Sequence, residues 1–321
     1  MSSPNGSSGT GTTVTASTYR GRFAPSPTGP LHAGSLVAAL ASYLDARSVG
    51  GEWLVRIEDI DPPREIAGAS DDILRTLEAL ELTWDGSVRR QSQRHEHYAS
   101  VAQRLYRDGK AFYCRCSRQQ LRDANAALGR VGGFYPGTCR SLGHRDGALR
   151  VAVSDAEIAV DDRLQAALVA RLDKECGDFV VYRRDGLPAY QLAVTLDDAD
   201  QGITDIVRGV DLYDSTPRQV WLQRLLGLPT PRYAHFPILT DAEGRKLAKQ
   251  TGAPAIDASE PGPLLYQALK TLRQEPPAEL AAATASEVLA WGTAHWQAVA
   301  LRRTATLPSS SVAPQQNPVR F

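Results

Sequence analysis

His32, Lys246 and Lys249 stand in two short segments whose composition suits a polyphosphate. The first runs Arg22-Phe23-Ala24-Pro25-Ser26-Pro27-Thr28-Gly29-Pro30-Leu31-His32-Ala33-Gly34-Ser35. It reads as a strand (Tyr19 to Ala24), a Pro/Gly-rich turn, and a helix from Leu31 to Val49 with apolar residues at 36, 37, 40 and 44. Pro30 falls where a helix begins, its fixed φ and missing donor suiting that position. The first-turn N–H groups of a helix form an anion site, and His32 shares that mouth. Gly29 and Gly34 would let a ligand or another backbone come close. The second segment is Arg245-Lys246-Leu247-Ala248-Lys249-Gln250, and it holds two of only five lysines among 36 basic residues. Lysine is a flexible point charge that can follow a moving phosphate. Taken singly, a Gly-rich turn is ordinary architecture and a short basic run is a solvated loop.

The four cysteines suggest a second chemistry. Cys114, Cys116 and Cys139 bracket a compact stretch, and three thiolates would leave one place on a tetrahedral zinc ion. Nearby His144 or a water could fill that place. Alternatively, Cys114 and Cys116 are small apolar fillers. Cys176 stands alone before Gly177 and reads as filler.

The two phosphate-suited segments together resemble the paired nucleotide motifs of class I aminoacyl-tRNA synthetases, and the wording of the first is that of the glutamyl branch. The likeness continues in Arg56-Ile57-Glu58-Asp59-Ile60-Asp61-Pro62-Pro63-Arg64, Leu82-Thr83-Trp84-Asp85 and Tyr190-Gln191-Leu192-Ala193-Val194. It extends through 197–209 and spans about residues 19 to 252. Only 71 residues follow Gln250, too few for a large helical anticodon-binding region. The chain therefore resembles the truncated glutamyl-Q tRNA(Asp) synthetase family. Members of that family activate glutamate with ATP and attach it to queuosine in the anticodon loop of tRNA(Asp). A shortened glutamyl-tRNA synthetase charging a 3′ end, or a non-catalytic RNA-binding paralogue, are the competing readings.

The resemblance implies roles. His32, Lys246 and Lys249 would be catalytic, with His32, Gly34 and Lys249 contacting ATP and its Mg²⁺. Arg22, Phe23, Ala24, Pro25, Ser26, Glu58, Tyr190 and Arg208 would form the L-glutamate site. The arginines would meet carboxylates, preferably as two-pronged partners, and Glu58 would meet the α-ammonium. Glu58 could instead pair with Arg56 or Arg64, and Tyr190 could be a core aromatic. Tyr135 would join Cys114, Cys116 and Cys139 on one structural zinc, although an ordinary phenol titrates near about 10. Three positions depart from the pattern: Ser35 where many synthetases have a second His, Ala248 where Ser is usual, and Gln191 where Asn is common.

These residues need a scaffold. The resemblance implies a Rossmann-like α/β fold with a parallel sheet, a zinc-bearing insertion and a helical C-terminal portion, without an anticodon-binding domain. Residues 1–18 read as a disordered leader, 19–112 as the first half of the catalytic unit and 113–178 as the insertion. The second half with its lysine loop covers 179–258, a helical portion 259–308 and a disordered tail 309–321. Ser70-Asp71-Asp72 should open a helix, with Ile73, Leu74, Leu77 and Leu80 as its stripe. Phe179 to Tyr182 should return to the main sheet, with Asp185-Gly186 as a turn. Net charge is zero and 42% of residues are apolar, as in an ordinary soluble chain. No run of eighteen apolar residues suggests a membrane helix. The leader lacks a signal-peptide core and a disulfide framework is not expected, which points to the cytoplasm. No obligate protein partner is evident. Arg89, Arg90, Arg94, Arg104 and Arg107 could form a local patch for tRNA.

Overall fold

The computed structural model describes residues 18–130, 133–241, 243–247 and 254–309. Lys249, with Ala248 and Gln250, lies outside the described residues, as do the leader and tail apart from Thr18 and Ser309.

A parallel sheet organises the molecule. Strand β1 (Arg20–Phe23) leads through a turn to helix α1 (Ala33–Arg47) and returns as β2 (Glu52–Ile57), parallel to β1. Helix α2 (Ala69–Ala79) and the short β3 (Arg89–Arg90) extend that edge, and α3 (His95–Arg107) follows. Next come β4 (Ala111–Cys114), α4 (Arg118–Ala127), β5 (Ala148–Val151), β6 (Glu157–Val160), β7 (Leu168–Arg171), the single turn α5 (Leu172–Glu175) and β8 (Phe179–Tyr182). Helix α6 (Tyr190–Asp200), β9 (Asp205–Gly209), α7 (Thr216–Leu226) and β10 (Arg232–Phe236) complete the second half, with β9 and β10 parallel. Thr204 N donates to Arg20 O (3.0 Å), setting the start of β9 beside the start of β1. The last part holds β11 (Ile238–Thr240), α8 (Pro261–Thr271), α9 (Ala285–His295) and β12 (Thr306–Pro308).

Alternate residues of a strand face opposite sides of the sheet. Trp53, Val55, Val207, Ala234 and Phe236 accordingly join one core with α1, α2, α8 and α9. Leu54, Ile206 and Tyr233 join the other with α3, α6, α7 and β4 to β8. Buried on both faces, the sheet can expose functional groups only at its ends. Because β1, β2, β9 and β10 run the same way, their carboxyl ends open at one edge, where α/β folds hold ligands.

The predicted apolar stripe of α1 is fully buried at Leu36, Val37, Leu40 and Leu44. Its start differs. Pro30 and Leu31 precede the helix, and His32 is the N-cap, its Nδ1 accepting from Ser35 N. Helix α2 begins at Ala69 behind Gly68 (φ 80°), not at a Ser70 cap, while Asp71 and Asp72 do fall in its first turn. Strand β8 pairs antiparallel with β5, and β5 with β4, so Phe179 to Tyr182 belongs to a separate sheet. A turn follows it, Gly186 N donating to Arg183 O (3.2 Å). The C-terminal part is not only helical: β12 pairs parallel with β11, and Leu265, Leu269, Val288, Leu301 and Leu307 share the core of α1. No helix among the described residues is long and apolar enough to cross a membrane.

Candidate active site

Three cavities adjoin at the carboxyl edge of the sheet, and Ser26 lines all of them. The loop carrying Ser26 is tied down by its backbone: Pro25 O accepts from Glu58 N (2.9 Å) and Pro27 O from Ile66 N (3.0 Å).

The smallest, about 250 Å³, is lined by Arg22, Phe23, Ala24, Ser26, Glu58, Tyr190 and Arg208. Its charges are supported from behind. Arg22 ends up 4% exposed, its Nε donating to Asp198 (3.0 Å). No other acceptor engages Arg22 among the described residues, so both Nη groups remain for a ligand. Asp198 also accepts from Arg56 Nη1 (2.7 Å). Burial pushes the Asp198 carboxyl up, but Arg22 and Arg56 outweigh it and hold it below the usual range. Fully buried Arg56 reaches Glu58 (3.1 Å) and Gln201 (3.0 Å) as well. Glu58 thus makes the Arg56 pair expected of a structural acid and still lines two cavities. Burial raises its pKa despite Arg56 and Arg22. Tyr190 opens α6, half-buried, with its phenol pushed up to about 12 by burial and then by Glu58.

Arg208 sits near the end of β9 under heavy constraint. Its Nε donates to His235 Nε2 (2.9 Å), Nη1 to Gln219 (2.8 Å), and Nη2 to Thr216 (2.9 Å) and Leu212 O (3.4 Å). Four of five N–H groups are spent, so Arg208 can offer one donor to a ligand and not a two-pronged face. Gln191, the departure from Asn, bonds Gln219 (3.0 Å) and Ser215 (3.1 Å) and so belongs to the layer behind Arg208.

The second cavity, about 410 Å³, is lined by Pro25, Ser26, His32, Gly34, Ser35, Gly209, Asp211, Lys246 and neighbours. A Cβ on Gly34 would lie 3.0–3.1 Å from the His32 ring and 3.4 Å from Leu247 O. Gly34 thereby admits the imidazole against α1 and lets the lysine segment pass close. That segment is held in place as well: Leu247 N donates to Leu239 O (2.8 Å), Ile256 N to Leu31 O (3.0 Å), and His32 bridges to Ala255. Lys246 Nζ donates to Asp211 (2.6 Å) at the cleft. The third cavity, about 640 Å³, carries Glu58, Asp61, Arg64, Arg118, Arg183 and Tyr190.

Cys114, Cys116 and Cys139 bring their Sγ atoms within 4.8 Å of one another, a set able to hold a metal ion. His144 is outside that group. Tyr135 is buried beside it, its phenol oxygen accepting from Cys139 N (2.8 Å). Gly177 (φ 65°) permits this: a Cβ there would fall 2.1 Å from Tyr135 O. The Cys114 thiol is buried, which alone would raise it, but Tyr135 and Arg150 bring it down to about 7. Cys116 is pushed up to about 12 by burial and its neighbouring thiols. Three thiol donors gathered in one place suit a structural ion, while burial and the neighbouring thiols push the Tyr135 phenol up. Cys176 is apart, donating to Gly177 O (3.3 Å), its thiol raised to about 11 by burial.

Three of the five arginines of the expected patch meet acids, while Arg104 and Arg107 are exposed. Arg90 pairs with Asp71, Arg94 with Asp197 and Asp200, and Arg89 lies 3.9 Å from Asp197. Sequence reading also missed the partners Asp198, Asp211, Asp162 and His235. Acids at 197 and 198 on a helix whose neighbours are apolar were the available signal that buried cations await them.

Comparison with known proteins agrees with this layout. Residues 18–260 match the model of tRNA synthetases class I (E and Q), catalytic domain. A glutamate-tRNA synthetase from Elizabethkingia anophelis superposes with a TM-score of 0.76 over 92% of this chain and 69% of its own, at 23% identity, a likeness of fold. Glutamyl-Q tRNA(Asp) synthetase of Pseudomonas paraeruginosa is 56% identical over 298 residues, 92% of this chain and 99% of its own. That of Pseudomonas fluorescens is 53% identical over 304 residues, 94% and 100% respectively. The chain is thus a class I tRNA synthetase of the glutamate and glutamine type and belongs, within that class, to the glutamyl-Q tRNA(Asp) synthetase family.

Proposed function

We propose that the chain activates L-glutamate with ATP and transfers it to queuosine in the anticodon loop of tRNA(Asp). The observation that carries this reading is the 250 Å³ pocket of Arg22, Arg208, Glu58 and Tyr190 opening beside the cleft of His32 and Lys246. Glutamate has two carboxylates and one ammonium, and the pocket has two guanidiniums and one carboxylate. Arg22 presents its Nη pair as the fork and Arg208 adds one N–H. Glu58 takes the ammonium, and Ser26 and Tyr190 donate hydrogen bonds.

In the first step the α-carboxylate oxygen attacks the α-phosphorus. The bond to the β-phosphate breaks and pyrophosphate leaves. The protein contributes position and charge more than covalent chemistry. His32, its Nδ1 engaged by Ser35 N, carries the neutral ring's proton at Nε2 and so offers a donor to phosphate oxygen. Lys246 exchanges Asp211 for the departing phosphates, and Lys249 assists. Mg²⁺ arrives with ATP. In the second step a hydroxyl of queuosine attacks the activated carbonyl and AMP leaves. Zinc, held by Cys114, Cys116, Cys139 and Tyr135, would fix the start of α4, whose Arg118 lines the third cavity.

The test is acylation by labelled glutamate of tRNA(Asp) with and without queuosine. Label on the first alone is expected. Label on tRNA(Glu) would favour the 3′-charging alternative, and label on none would leave a binding protein.

A further inference from the structure

Arg208 is seated by a histidine whose protonation pattern is dictated from its far side. An arginine Nε–H is always a donor, so His235 Nε2, 2.9 Å away, must present a lone pair. The ring proton then belongs to Nδ1, which faces Asp162 Oδ2 at 2.5 Å. Both side chains are buried, at 0% and 1% exposure, so water does not substitute for either partner. Asp162 is itself fixed. Its Oδ1 accepts from Leu164 N (2.9 Å), Gln165 N (2.8 Å) and His235 N (3.2 Å), leaving Oδ2 alone for the ring. Thr216 Oγ1 accepts from Arg208 and lies 3.3 Å from His235 Nε2, a second donor toward the same lone pair.

We infer that Asp162 and His235 are positioning residues for glutamate recognition: Asp162 holds His235 as the Nδ1–H tautomer, and His235 thereby seats Arg208 with its remaining N–H turned to the substrate. The inference rests on the reading of Arg208 as a carboxylate partner. Neither residue lines the pocket, and Asp162 comes from the stretch between β6 and β7, far from the pocket in sequence.

Asp162→Asn tests the tautomer without changing size. The three backbone donors keep the amide oxygen in the Oδ1 place, so the amide nitrogen must face His235 Nδ1. That nitrogen is a donor, so the ring proton moves to Nε2 and opposes Arg208 Nε–H, as expected when a histidine's carboxylate is replaced by an amide. In glutamate-dependent ATP–pyrophosphate exchange, Asp162→Asn should raise the glutamate KM tenfold or more and leave the ATP KM within twofold. His235→Gln supplies the control, because its amide oxygen can accept from Arg208 whatever stands at 162. In that background Asp162→Asn should change the glutamate KM by less than threefold. An unmoved KM in the single variant, or an equal cost in both backgrounds, overturns the relay. Arg208→Gln in the same assay separates the layers. A large KM rise there with an unmoved Asp162→Asn defeats the relay alone, whereas an unmoved Arg208→Gln defeats the reading of the pocket on which it depends.

Discussion

The pocket proposed for glutamate and the cleft proposed for ATP share Ser26 but handle charge in opposite ways. Each cation of the pocket is bound to permanent protein partners, Arg22 to Asp198 and Arg208 to His235, Gln219 and Thr216, and Arg56 behind them is bound to Glu58 and Asp198. These groups are buried and cannot rearrange cheaply, so the site is set before substrate arrives. In the cleft, Lys246 is 46% exposed and donates to Asp211, itself partly exposed. That pair is weak enough to be traded for phosphate. On the proposed function, the small ligand that must be distinguished from its near relatives would meet rigid arginines, and the leaving group that moves would meet a lysine on a loop.

Substitutions can break this contrast. Arg22→Gln removes the fork and leaves Asp198 with Arg56 as its remaining cation, so the glutamate KM in exchange should rise about 100-fold, the ~3 kcal/mol expected for losing one partner of a buried charged contact. Arg56→Met leaves the buried acids of α6 and Glu58 short of a cation. It should lower unfolding stability in a denaturant titration by about 3 kcal/mol. Lys246→Ala should slow exchange about tenfold, ~1.4 kcal/mol in the barrier, with the glutamate KM unchanged. If the cysteine cluster holds zinc as proposed, Cys114→Ser should remove it by elemental analysis and reduce transfer to tRNA more than exchange, since these cysteines line neither the 250 Å³ pocket nor the 410 Å³ cleft.

The smallest effect concerns acid. Burial, and Arg208 beside it, keep the His235 pKa below the ordinary value even though Asp162 opposes them. The unfolded chain therefore takes up a proton near about pH 6.5 that the folded chain does not, and stability falls as the pH drops below that point. A thermal unfolding series from pH 7 to 5 should show this slope in the parent chain and a shallower one in His235→Gln.

Local features were legible from sequence and distant pairings were not. The strand, turn and helix around His32 followed from proline, glycine and the stripe of Leu36, Val37, Leu40 and Leu44. The three cysteines converge as their spacing suggested, Cys114 at the end of β4 with Cys116 two residues on. Of the five arginines from Arg89 to Arg107 read as a patch, Arg89, Arg90 and Arg94 have Asp71, Asp197 and Asp200 folded onto them, partners that the run itself did not reveal. Asp162 and His235 lie 73 positions apart and carry no local signature. Strand β12 was missed because three residues pairing with β11 leave no periodic pattern to read.

The decisive measurement is a side-by-side titration of glutamate and ATP in pyrophosphate exchange for the parent chain, Arg22→Gln and Lys246→Ala. A preset pocket beside an exchanging cleft predicts that Arg22→Gln shifts the glutamate KM alone while Lys246→Ala slows turnover without touching it. Equal shifts of both substrates' KM in both variants would contradict the account.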